Sequence, residues 1–169
     1  MWWKIIIVVI IVLLLVRLLL RSNARKSMNP IDSIDYNGTL GFRIGDSIDF
    51  VLTRIKHLNL LPDDELKKFF DKEMGHLYRT MGIIDTTKKL FENIEDVAFF
   101  ISSDKLRSIL IKFNISLSEL GFMKGVVERR ISSKLGNPYL KYDNSINWRK
   151  GNNSVLLKIE NGILSIHIS

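Results

Sequence analysis

The chain has 169 residues, no cysteine and a formal net charge of +7. Its length suits one compact core, and the missing cysteine excludes disulfides, thiolate ligands and a lipidated N-terminal cysteine. A basic pI near 9.7 suggests nucleic acid, but the charge is in the wrong place: residues 1–26 carry five Lys or Arg and no acid, whereas residues 27–169 carry 20 basic and 18 acidic residues. Short pairs such as Lys67-Lys68, Lys88-Lys89 and Arg129-Arg130 are each read as a solvated helix or strand edge. Apart from these, the folded part is expected to lack a basic stripe that tracks phosphates, and no nucleic-acid partner is expected.

Residues 5–16 read IIIVVIIVLLLV, and with Arg17 as the one charge the apolar run continues to Leu20. As a helix, Trp2 to Leu20 spans roughly 28 Å, close to the hydrocarbon thickness of a bilayer. Trp2 and Trp3 stand where indole rings prefer the headgroup boundary, and Arg17 can extend its guanidinium toward the far interface, followed by Arg21. Residues 1–21 are accordingly read as a transmembrane anchor with the bilayer as partner. The rival is a cleaved signal peptide with Ser22-Asn23-Ala24 at the cut, against which Arg17 and Arg21 stand awkwardly. Arg17, Arg21, Arg25 and Lys26 after the span, against Lys4 before it, favour a cytoplasmic C-terminal domain, with the opposite topology left open. The basic flank Arg21, Arg25 and Lys26 suits anionic headgroups.

Residues 22–38 are polar and rich in turn formers, which predicts a short tether; residues 39–169 form the soluble domain. Gly41 to Gly45 reads as an extended lead-in. Asp46 or Ser47 then caps a helix whose apolar positions Ile48, Val51, Leu52, Ile55 and Leu58 follow the 3.6-residue period. Pro62 opens a second helix, with Asp63, Asp64 and Glu65 suiting its N-terminal dipole and Leu66, Phe69 and Phe70 its buried edge. Gly75 and Gly82 bracket an ambiguous stretch around Leu77-Tyr78, read as a strand.

Val97–Ile101 has a buried-strand pattern, Ser102 to Lys105 makes a turn, and Leu106, Ile109, Ile111 and Phe113 mark a second strand. Ser116 or Ser118 starts a helix with Leu120, Met123, Val126, Val127, Ile131 and Leu135 facing inward and Gly136 ending it. A polar stretch with Pro138 leads to Ile146-Asn147-Trp148. The chain closes with Val155–Ile159, the turn Asn161-Gly162 and Ile163–Ile168, the strongest hairpin signal present. The two hairpins recur at a separation of about 57 residues, each after a helix-bearing segment. The expected fold class is α+β, an antiparallel sheet with helices on one face, built from a duplicated helix-then-hairpin unit or from two unrelated hairpins.

Gly41-x-x-x-Gly45-x-Ser47-x-x-x-Val51, followed by a helix and then strands, resembles the lead helix of the small outer-membrane-assembly lipoprotein (SmpA/OmlA-like) family. It is also similar to the tandem-repeat protein inhibitors of β-lactamase. The helix ending Lys134-Leu135-Gly136-Asn137-Pro138, before a Trp and a hairpin, looks like a second copy of the repeat. The resemblance covers roughly residues 40–168 and implies an α+β fold with a non-catalytic binding or assembly role. The lipidated cysteine of the lipoproteins and the disulfides of the inhibitors are both missing, so localisation and partners are not carried over.

Motifs for chemistry do not add up to a reaction. Gly45-Asp46-Ser47-Ile48 resembles the nucleophile block of GDSL-type esterases, but that family places Asp-x-x-His near its end, and here Leu164 stands at that spacing before His167. Helix capping accounts for Asp46 and Ser47. His57, His76 and His167 are scattered, Glu73-Met74-Gly75-His76 lacks a second histidine, and Asp63-Asp64-Glu65 lacks the alternation of a calcium loop. No metal, cofactor or Gly-rich phosphate loop is expected. Asn37, Asn114 and Asn152 head glycan-acceptor triplets, which matter in a secretory lumen alone. Tyr139, Tyr142, Trp148 and Arg149 beside a flexible polar loop form the candidate protein-binding residues, against the reading that the aromatics cap the core. The leading expectation is a single-pass, membrane-anchored, non-catalytic protein-binding or assembly accessory domain. A membrane-tethered serine hydrolase using Ser47 and a lipid- or small-ligand-binding domain are the alternatives.

Overall fold

The computed structural model describes residues 29–86 and 94–169. They form an α+β fold: four helices, a seven-stranded antiparallel sheet and a two-stranded ribbon. The anchor expected over 1–21 lies outside the described residues; among those described, no helix is long and apolar enough to cross a membrane.

The tether expected over 22–38 gives way to packed chain at Asn29. Ile31 and Ile34 are buried, and Thr39 donates its hydroxyl to the Pro30 carbonyl at 2.6 Å. Tyr36 reaches a segment distant in sequence, donating to the Leu135 carbonyl at 2.9 Å. Polar composition concealed this, because the two isoleucines are spaced as a single turn and not as a periodic element. The extended lead-in is a small ribbon, β1 (Gly38–Thr39) and β2 (Phe42–Arg43), joined through Leu40 and Gly41 at positive φ.

Ser47 caps α1 (Ile48–His57), its hydroxyl accepting from the Phe50 amide, and Ile48, Val51, Leu52 and Ile55 enter the core. Helix α2 (Asp63–Phe70) follows Pro62 with three acids in its first turn. Leu66 is buried, but Phe70 is 61% exposed, which corrects its assignment to a buried edge. The Leu77-Tyr78 stretch is helical, not a strand: it lies in α3 (Lys72–Thr80). The Asp71 carboxylate decides this by accepting from the Glu73 and Met74 amides, satisfying two otherwise orphan donors. Gly75 lets α3 approach α2, since a Cβ there would stand 2.8 Å from the Phe69 carbonyl oxygen.

The large sheet runs β3 (Met81–Asp85), β4 (Ile94–Ser102), β5 (Lys105–Phe113), β9 (Ile163–Ile168), β8 (Asn153–Glu160), β7 (Ser145–Lys150) and β6 (Leu140–Lys141), in that spatial order. Two meanders, β3–β5 and β6–β9, are thus joined by the antiparallel pair β5–β9, with Ile109 opposite Ile168 and Ile111 opposite Ile166. Ser103-Asp104 and Asn161-Gly162 both have positive φ at the two central residues, the backbone of the hairpin turn whose twist matches its strands.

One face of the sheet is closed. Phe99, Ile109, Ile111, Trp148, Val155, Leu157, Ile166 and Ile168 are buried there and share one core with Val51, Leu52 and Ile55 of α1 and Leu120, Val127 and Ile131 of α4 (Leu120–Leu135). Side chains alternate across a strand, so the other face is composed of the residues between these.

Candidate functional site

The strand registers align the open face in rows. One row reads Asp85, Ala98, Leu110, His167, Leu156, Asn147, Leu140 across all seven strands. A second places Ile83, Phe100 and Ser108 side by side. A third reads Asp96, Lys112, Ser165, Lys158, Ser145. Phe100, Leu110 and Leu156 are half-buried and Ile83 is exposed, so an apolar band crosses the middle of a face that no described helix covers. Serines and paired charges border it.

His167 stands at the centre of this band. Its ring meets Phe100 edge-on at 6.4 Å and 70°, and its strand neighbours on this face are Leu110 and Leu156. Burial among apolar groups lowers its pKa from the ordinary 6.5, because the charged imidazolium is the form that loses hydration. At neutral pH the ring therefore offers one donor and one acceptor. Asp96 and Lys112 neutralise each other at 3.1 Å, and the hydrogen bond to Asp96 raises the Lys112 pKa. The Oδ1 atoms of Asp96 and Asn147 are buried with no hydrogen-bond partner among the described residues.

The four residues proposed from sequence do not share one exposed surface. Tyr139 and Tyr142 are 66% and 61% exposed around β6. Arg149 is exposed and donates to the Gly151 carbonyl beyond its own strand. Trp148 is wholly buried, with its indole N–H donating to the Gly136 carbonyl at 3.1 Å. That corrects its place among surface contacts: even numbering along β7 sends Ile146 and Trp148 into the core. Trp2, Trp3, Arg17 and Arg21 lie outside the described residues.

The motif at Ser47 is a cap. The Ser47 hydroxyl accepts from Phe50 N at 3.3 Å, and no hydrogen bond among the described residues joins it to a histidine. No group of three or more His, Asp or Glu among the described residues could hold a metal ion. A surface pocket of about 290 Å³ between α2 and α3 is lined by Phe69, Phe70, Asp71, Lys72, Gly75, His76 and Arg79. Its volume is at the small end for organic ligands, and it lies at the surface, outside the sheet–helix core. The open band escaped sequence reading because Phe100 and Leu110 sit inside nearly continuous apolar runs, which conceal the side each residue takes.

Comparison of the chain with protein-family models, curated proteins and solved structures finds no match.

Proposed function

We propose that the chain is a single-pass, membrane-anchored accessory protein whose α+β domain binds another protein without catalysis. The observation that carries this is the open face of the sheet. Its apolar centre at Phe100, Leu110 and Leu156 is ringed by serines and by the neutralised pair Asp96–Lys112, the layout of a protein-recognition patch. A face meant for nucleic acid would carry unpaired cations, and one meant for lipid would lack the interior hydrogen-bonding atoms of His167 and Asn147. The apolar run at 5–16 supports the anchor, and the placement of Ser47 as a cap argues against the hydrolase alternative. The same reading takes the two meanders as copies of one helix-then-hairpin unit, supported by their matching two-residue turns at 103–104 and 161–162.

The test is a photo-crosslinking residue placed at Leu156 of the full chain in its native membrane, with exposed Asn59 as the control position. A discrete protein adduct formed from Leu156, absent from Asn59 and lost on Phe100→Asp, is the expected result. Equal or no adducts from both positions refute the assignment of the face. A serine-reactive phosphonate should leave the chain unlabelled; labelling abolished by Ser47→Ala would establish the hydrolase instead.

A further inference from the structure

The end of the domain at which the described chain begins carries a collar of cations, and the geometry points to that collar as the surface that lies on anionic lipid headgroups. The inference rests on the membrane-anchored reading and adds the domain's orientation to it. At this end Asn29–Asn37 packs against the C-terminus of α4 and the β7–β8 turn. Five contacts knit the three together: Lys134 donates to the Asp32 carbonyl, Arg130 approaches the Asp32 carboxylate at 3.9 Å, Tyr36 bonds Leu135, Lys150 lies 6.0 Å over the Tyr36 ring, and Asn153 bonds Asn37.

Arg130, Lys134, Arg149 and Lys150 are all exposed here, and Arg129 is exposed a little farther back along α4. Asp32 and Asp35 are the acids on the adjoining segment. Arg129 and Arg149 spend one N–H each on nearby carbonyls, which holds the guanidinium stems in place and leaves their charge uncompensated. Three of the five belong to the last turns of α4, whose C-terminal dipole accounts for cations there; it does not account for Arg149 and Lys150 arriving beside them from a different element.

Chain length fixes what can reach the collar. Nine residue steps separate Leu20, the end of the apolar run, from Asn29, where packing begins. Fully extended they reach at most about 32 Å, so with the run embedded Asn29 stays within that distance of the bilayer and the collar beside it stays within reach of the headgroups. The opposite end, at the start of α4 and the β8–β9 turn, is farther by the length of that helix, about 24 Å for its 16 residues. Attraction of clustered Lys and Arg to an anionic leaflet acts within a Debye length, so it is contact of the collar with the surface that turns the domain this way up and leaves the far end outside the field.

The chain has no cysteine, so Ser133→Cys (within the collar) and Ser118→Cys (before the start of α4) give unique labelling sites. Each variant of the full chain is reconstituted in vesicles of phosphatidylcholine alone or with about 30 mol % phosphatidylglycerol, an anionic surface of the kind that draws basic clusters. The label is quenched by a headgroup nitroxide. Quenching at Ser133 several-fold above Ser118 in anionic vesicles is expected, reduced in neutral vesicles, by high salt, and by Arg130→Glu with Lys134→Glu. Arg129→Gln with Lys150→Gln, which leaves the Asp32 contacts intact, should reduce it partly and guards against misfolding of the first pair. Equal quenching at the two sites, or indifference to lipid charge, overturns the collar while the chain stays embedded. Release of the chain from vesicles by alkaline carbonate overturns the anchored reading itself, and the collar with it.

Discussion

Replacing Trp148 separates a core role from a contact role more sharply than any other change. The side chain is wholly buried at the place where β7 meets the end of α4, and its one polar atom is satisfied by Gly136. Trp148→Ala empties that volume and should cost about 3–5 kcal/mol, the range for deleting a buried aromatic. The freed Gly136 carbonyl adds little, because Gly136 is exposed and water can replace the indole. Trp148→Phe keeps most of the bulk and loses the hydrogen bond, worth about 1 kcal/mol, with a similar sum for the missing ring atoms; about 2 kcal/mol is expected. Against a total stability of about 5–15 kcal/mol for a domain of this kind, the alanine variant is marginal and the phenylalanine variant folded. Urea unfolding of the full chain in detergent, followed by far-ultraviolet circular dichroism, measures both; tryptophan emission would mix in Trp2 and Trp3. An alanine variant within 1 kcal/mol of the parent, but with partner crosslinking at Leu156 abolished, would show that Trp148 acts at the surface and that the reasoning from burial is wrong.

Ser47→Ala should lower stability by about 0.5–2 kcal/mol through loss of the α1 cap; an unchanged urea midpoint would contradict the capping assignment. Gly162→Ala, at φ +78°, should cost about 1 kcal/mol because a Cβ is strained in that conformation, and hydrogen exchange should show the β8–β9 hairpin loosened first. Arg79→Ala, which breaks pairs to Asp49 and Asp104 across exposed surface, should cost less than about 1 kcal/mol; a larger loss would assign that trio a structural role. The depressed His167 pKa means that the unfolded chain binds the proton first as pH falls below about 6.5. Stability should therefore be greatest above that pH and decline as pH drops toward the folded-state pKa. His167→Asn should flatten this decline in pH-dependent urea midpoints, and an identical slope in the variant would refute it.

The elements read correctly from sequence are those whose local chemistry and tertiary fate agree. Ser47 with its 3.6-residue apolar pattern gave α1, Gly136 ended α4, and Asn161-Gly162 placed the last hairpin. Failures arise where a distant partner decides. Leu77-Tyr78 carries apolar residues at a spacing that either element tolerates, and the Asp71 cap with the Tyr78 ring tilted against Phe69 at 4.4 Å settles it as helix. Strand β3 follows with no intervening loop and contains Gly82, so nothing local announces it; β4 supplies its partner. Trp148 and the tyrosines near it look alike in sequence, yet strand parity in β7 buries Trp148, while Tyr139 and Tyr142 flank the two-residue edge strand β6 and stay outside. The open face was the least legible, since which side of a strand stays uncovered depends on where α1 and α4 come to rest.

The pairing of β5 with β9 also governs the order of assembly. Ile109 meets Ile168 across a long stretch of intervening chain. Gly45 and Asp46 already pair with Leu106, but the Ile109–Lys112 part of that β5 edge has no neighbour until the second meander has been synthesised. A ribosome-bound nascent chain halted after Phe113 would therefore expose the second half of β5, Ile109–Lys112, as a bare hydrogen-bonding rim. Closing that loop is an entropic step that local hairpins do not face, and it makes the joining of the two halves the slow event in maturation, the moment at which a chaperone would be most needed.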